Sequence, residues 1–234
     1  SLRRGIESAN AVWGNQASVL VGDFLFSRAF QIMVEDGSLR VLEILSTASA
    51  VIAEGEVQQL ANSNDLNTSE QNCLEVITAK TAKLFAAACE IGAVVANKPA
   101  KVARSLANFG LNFGISFQLV DDVIDYAASD SIIGKQVGDD FREGKVTLPV
   151  LLAYDRGSKH DRSFWKRTIE KGELREGDLA YAKGLMAKYD VLEDIRDRAG
   201  KYMSDACDQL DGFPDNPARQ ALIEAAKFCA NRSY

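Results

Sequence analysis

Sulfur and imidazole are scarce in this chain: of 234 residues, 4 are cysteine and 1 is histidine. Cys73, Cys89, Cys207 and Cys229 stand far apart and form no CxxC pair, so they read as reduced core thiols of a cytosolic protein. His160 stands alone in the polar, loop-like stretch "RGSKHDRS", which argues against a multi-histidine zinc site or a Ser-His-Asp mechanism. With 4 prolines and no Pro-, Gly- or Ser-rich linker, the chain is expected to form one domain. A clustered basic footprint is missing and the formal net charge is −6, which argues against a nucleic-acid partner. An anionic small substrate stays open, provided that metal ions or local lysines bring the positive charge. No signal peptide is visible. The most apolar stretch, "LFAAACEIGAVVA" (84–96), is too short and too charged to span a bilayer, so a buried helix is expected there.

What is present is helical pattern. Apolar side chains make up 47% and charged ones 26%, the balance of an ordinary globular protein. In 15–37, Val19, Leu20, Phe24, Phe26, Phe30 and Met33 recur at roughly helical spacing, and Gly37 reads as a stop. Ser38 is placed to cap a helix over 39–61. Thr68 with Gln71 resembles a capping box ahead of a helix through 73–96. Pro99 opens a helix that continues through Gly110 and Gly114 to Tyr126. Those two glycines point to close approach of a helix or a ligand, or to tight packing alone. Residues 127–147 read as one long non-helical segment, and such loops are usually functional or disordered. Shorter helices follow at 148–156, 161–171, 178–189, 191–210 and 217–231. No period-2 strand is found, and the expected class is all-α.

The segment "FQLVDDVIDY" (117–126) places three aspartates in an apolar run. Asp121 and Asp125, four apart, share a helix face, and Asp122 is turned from them by roughly a hundred degrees. One reading is a solvated acidic face; the greasy surroundings speak for a divalent cation instead. Mg²⁺ takes hard oxygens from one or two carboxylates, waters and phosphates, so the triad suits a Mg²⁺–diphosphate bridge. Lys80, Thr81, Lys135, Lys145, Arg3 and Arg4 are available as donors. They fit either surface ion pairs worth about 0–1 kcal/mol or clamps on a diphosphate.

The ordered blocks "FQLVDDVIDY", "GKQVGDD" and "EGKVTLP" resemble the second aspartate-rich region of the trans-type polyprenyl diphosphate synthases. "LRRG" with "GNQASVLVGDFLFSRAF", "IAEGEVQQL" and "AKTAKLF" are similar to earlier blocks of that family, in wording nearest the bacterial long-chain octaprenyl and decaprenyl enzymes. The likeness is dense over residues 1–150. It implies the isoprenoid synthase fold: about ten helices in a single-domain bundle around a central cavity. It also implies a Mg²⁺-dependent prenyltransferase that condenses isopentenyl diphosphate with an allylic diphosphate, such as farnesyl diphosphate, for quinone side chains. Asp121 would be the main metal ligand, helped by Asp122 and Asp125. Asp121, Lys80 and Lys135 would carry the chemistry. Arg3, Lys80, Thr81, Gln118, Lys135 and Lys145 would hold the allylic diphosphate, and Arg4 isopentenyl diphosphate. Phe117 would line the pocket, and Asp140 would support it. The resemblance further implies a homodimer; with no anchor or targeting signal visible in the sequence, a cytoplasmic location with at most peripheral membrane contact and no integral membrane segment is expected.

One departure stands out. The family carries two facing aspartate-rich motifs, and this chain has the second alone. The first would end just before Ser1, so a longer protein is expected. Three rivals are a non-catalytic subunit of a heteromeric synthase, a terpene cyclase and a helical scaffold. A cyclase would not need Arg4 or "GKVTLP". A non-catalytic subunit would be expected to show decay at Asp121, Lys80 or Lys135, which are intact. A scaffold would not require the blocks to occur in order.

Overall fold

The structure, a computed structural model, describes residues 2–3, 6–127, 138–230 and 232; of Leu2, Arg3 and Ile6 the backbone alone is described. Two short strands, β1 (Leu2–Arg3) and β2 (Ile6–Glu7), pair antiparallel with Leu2 opposite Glu7. All other regular structure among the described residues is helical. The succession is α1 (Ala9–Asp36), α2 (Leu39–Ala61), α3 (Glu70–Ile77), α4 (Lys83–Val95), α5 (Ala100–Ala127), α6 (Asp139–Arg142), α7 (Leu148–Arg156), α8 (Lys159–Trp165), α9 (Asp178–Lys188), α10 (Val191–Asp208) and α11 (Pro217–Ala230).

Local chemistry explains most of the boundaries. The Ser38 hydroxyl accepts from the Val41 amide and starts α2, as the sequence predicts. One cap is shifted by a residue. Ser69, not Thr68, accepts from the Asn72 amide to begin α3, and the Thr68 hydroxyl is buried with no hydrogen-bond partner among the described residues. Asn216 caps α11 through the Arg219 amide, with Pro217 in the first helical position, where its missing N–H costs nothing. Between α3 and α4 the chain does not hold one α-helical period. Residues Thr78–Ala82 form a π-turn, closed by the Lys83 amide donating to the Thr78 carbonyl five residues back. The expected long loop contains the short helix α6, and His160 lies on α8, exposed, rather than in a loop.

α5 is the central helix. From Gly114 to Tyr126 it buries residues on nearly every side, the pattern of a helix surrounded by others. Leu119, Val123 and Tyr126 join Leu148, Trp165 and Ile195 in the main core, while Phe109 packs with Met203, Leu210 and Cys229 under α10 and α11. The Ser116 hydroxyl is satisfied by donating to the Ala199 carbonyl at 2.8 Å.

The two glycines of α5 resolve into helix approach. A Cβ at Gly110 would lie 2.4 Å from the Phe85 carbonyl oxygen, and one at Gly114 2.5 Å from Ala82 Cα. α4 is less buried than its composition suggests: Ala86, Ala87 and Ala93 face inward, whereas Leu84 and Val95 are exposed. α1 goes further. Only Met33 is buried, and Trp13, Phe24 and Leu25 are 70%, 66% and 61% exposed. By length and composition α1 is the one helix among the described residues that could cross a membrane, although Asp23 and Arg28 interrupt it and Gly14 breaks its helical backbone.

Replacing Gly110 with Ala should destabilise the protein by about 2 kcal/mol, because backbone atoms stand where the methyl group must go. Gly200→Ala, where the helix is open, should stabilise by about 0.5–1 kcal/mol. Thermal melts of the pair check both signs.

Candidate active site

The approach of α4 and its π-turn to α5 sets up a polar relay. The Thr81 hydroxyl donates to Gln118 Oε1 at 2.9 Å, and Gln118 Nε2 donates to Asp122 Oδ1 at 2.8 Å. Lys80, next to Thr81 on the π-turn, turns toward α2, where its ammonium donates to Gln59 Oε1 at 2.7 Å and pairs with Glu56 at 3.1 Å. Gln59 and Glu56 were not singled out by the sequence. They are three apart on one face of α2, and the adjoining Gly55 lets the π-turn approach to within 2.9 Å of a would-be Cβ.

The aspartates occupy three environments. Asp122 points inward and is only 4% exposed. Burial pushes its carboxyl well above the usual carboxylate range, the charge of Asp140 adds to that, and Gln118 partly opposes it. Asp125 lies at the last turn of α5. Its carbonyl accepts from the Gly138 amide at 2.8 Å, and its carboxylate accepts from the Asp140 amide at 3.2 Å. These contacts pin the start of α6 to the last turn of α5. Burial, then the charge of Asp140, raises the Asp125 carboxyl to about 6 against the two backbone donors. Asp121, its side chain 39% exposed, faces Arg232, whose guanidinium nitrogen is 3.9 Å away.

Asp140 in turn accepts from Lys145 at 3.0 Å, and Lys145 also pairs with Glu143 at 2.6 Å. Burial works against the Lys145 ammonium, but Glu143 and Asp140 outweigh it and hold its pKa above the ordinary value. Phe117 continues an aromatic row with Phe113 and Phe85 and carries the Arg232 guanidinium 4.2 Å above its ring. The structure thus gathers Thr81, Gln118, Asp122, Asp121, Phe117, Asp125, Asp140 and Lys145 along the end of α5, with Lys80 on the flank. Arg4, Lys135 and the side chain of Arg3 lie outside the described residues.

Chemically, the surface offers hard carboxylate oxygens one turn apart, with lysine, threonine and amide donors beside them. No three metal-ligating side chains converge into a closed cage among the described residues. The donor set fits a divalent ion that takes part of its coordination from phosphate oxygens or water, as Mg²⁺ does. The four cysteines are free and stand outside this relay.

The family model for polyprenyl synthetase matches residues 1–186. Octaprenyl diphosphate synthase of Haemophilus influenzae is 42% identical, covering 100% of this chain and 70% of its own. The Escherichia coli octaprenyl diphosphate synthase is 44% identical over 99% and 71%. Among solved structures, a polyprenyl synthase from Caulobacter crescentus complexed with calcium and isoprenyl diphosphate superposes with a TM-score of 0.96 at 49% identity, covering 100% of this chain and 71% of that one. A decaprenyl diphosphate synthase from Rhodobacter capsulatus gives 0.93 at 46%, over 99% and 71%.

Because burial holds the Asp125 carboxyl near 6, above its ordinary 3.8, the native state of the metal-free protein binds this proton more tightly than the unfolded chain does. That contribution to stability is present at low pH and is lost as pH rises from about 4 to about 6. Asp125→Asn should flatten the melting temperature across this window in EDTA and raise it at pH 7, as differential scanning calorimetry would record.

Proposed function

The chain belongs to the polyprenyl synthetase family and is a prenyltransferase, and from that premise we propose that it extends an allylic diphosphate with isopentenyl diphosphate to a long all-trans polyprenyl diphosphate. The observation that carries this reading is the placement of Asp121 and Asp125 one turn apart at the end of a buried helix, beside Thr81, Gln118 and Lys145. Carboxylates in an apolar frame are costly unless a cation compensates them, and a metal–diphosphate pair supplies one.

Asp121 and Asp125 would hold Mg²⁺ directly, with Asp122, anchored by Gln118, stiffening the helix end behind them. When bound, Mg²⁺ supplies Lewis-acid stabilisation of charge on the diphosphate oxygens. The chain's own part is electrostatic. Lys80 and Lys145, joined by Lys135 and Arg3, stabilise negative charge as the allylic C1–O bond breaks and both bonding electrons leave with the diphosphate. Thr81 and Gln118 orient that group by hydrogen bonds. Arg4 holds the diphosphate of isopentenyl diphosphate, whose double bond attacks C1; the tertiary cation so formed gives up an adjacent proton to the departed diphosphate and regains a double bond. Phe117 and its aromatic neighbours keep water from the cation.

The relatives' names support a product of eight to ten isoprene units, and a chain of that length would suit a quinone side chain. Incubation of the protein carrying both aspartate-rich motifs with Mg²⁺, farnesyl diphosphate and labelled isopentenyl diphosphate should give a ladder ending in that range, and absence of incorporation would overturn the reading. Lys80→Met should lower turnover about a hundredfold.

The exposed apolar side chains of α1 support a second copy of the chain as its cover, giving a homodimer. Sedimentation equilibrium should return twice the monomer mass, with Phe24→Asp lowering it. A cytoplasmic site of action with peripheral membrane contact fits a product whose apolar tail must pass to lipid.

A further inference from the structure

Arg232 lies beyond α11, 115 positions from the residue it covers. Its guanidinium carbon is 4.2 Å from the centre of the Phe117 ring. One terminal nitrogen is 3.4 Å from the Phe117 carbonyl oxygen and 3.9 Å from Asp121 Oδ1. The side chain is 17% exposed, and its Nε is buried with no hydrogen-bond partner among the described residues. A guanidinium held this way has used its stacking face and one donor, and has a further donor idle at the site. Among the described residues its ion-pair partner is Asp121, whose side chain is 39% exposed.

We propose that Arg232 is a charge gate: in the empty protein it stands in for the metal at Asp121, and it admits a divalent cation readily only when a diphosphate arrives with it. The inference rests on the reading of Asp121 as a metal ligand. The physics is like-charge repulsion at short range. A divalent ion on Asp121 would sit within a few ångströms of a fixed positive charge that cannot deprotonate. Binding of the bare ion and retention of the Arg232–Asp121 contact therefore oppose one another, and linkage makes that opposition reciprocal. A diphosphate reverses the sign. Its oxygens offer the guanidinium a better, bidentate partner than the 3.9 Å contact it leaves. Metal loading then becomes coupled to substrate, and the acids are not filled by whatever ion is abundant.

Two affinities distinguish this from a packing role: that of Mn²⁺ alone, followed by its EPR signal, and that of Mn²⁺ in saturating inorganic pyrophosphate. Arg232→Gln should bind Mn²⁺ alone about fivefold more tightly than the wild type and bind it less tightly than the wild type when pyrophosphate is present. A purely structural arginine would move both affinities in the same direction. Equal affinity of the two proteins for Mn²⁺ alone, or binding to neither, overturns the gate. Asp121→Asn in the Arg232→Gln background separates the two layers. If it weakens Mn²⁺ binding while Arg232→Gln has no effect, the gate alone falls. If it leaves Mn²⁺ binding unchanged, the metal-ligand reading of Asp121 falls with it.

Discussion

Backbone against backbone is the constraint on which the site depends. α4 and the π-turn ahead of it lie so near α5 that Gly110 and Gly114 have no room for a methyl group. Helices separated by ordinary side chains stand about 8–10 Å apart. At such a spacing a threonine, with a single carbon between backbone and hydroxyl, would fall short of Gln118. The close approach is what lets Thr81 reach Gln118, and Gln118 in turn is what compensates the buried Asp122. Packing with no polar component thereby fixes the geometry of the polar relay.

Five carboxyls among the described residues are shifted by their surroundings, and they divide into two kinds by the direction of the push. Asp161 is held well below the usual carboxylate range by Tyr189, Lys188 and Ser158, Asp178 is lowered by Arg167, and Asp194 by Arg198. Those carboxylates have donors to spare and tie helices and loops together. Asp122 and Asp125 are pushed the other way, because burial and the charge of Asp140 exceed what Gln118 and the backbone amides return. A group left under-compensated in the folded state is poised to take up a cation, and such groups concentrate where chemistry is done.

Much of this was legible in the sequence, for physical reasons that differ by element. α2 has the bounds expected for it because Ser38 is a good cap and the apolar period is unbroken. The spacing of Asp121 and Asp125 was enough to place them on one face. Gln59 and Arg232 could not be read, since each meets the site only through tertiary packing, across 21 positions to Lys80 and 115 positions to Phe117. The shift of the α3 cap from Thr68 to Ser69 has a simpler origin. Two adjacent hydroxyls are equal candidates by composition, and only the path of the incoming chain chooses between them. α1 misled in another way: its apolar residues follow a helical period, yet nearly all of them face outward among the described residues.

The π-turn at Thr78–Ala82 amounts to one residue more than a continuous α-helix needs. Lys80 and Thr81 both sit within that surplus, one aimed at α2 and the other at α5. Deleting a single residue there would let α3 and α4 fuse into an uninterrupted rod, and the rod would keep its apolar contacts on only one side of the join. The insertion that loosens the helix is therefore also what allows two neighbouring side chains to serve opposite walls of the site.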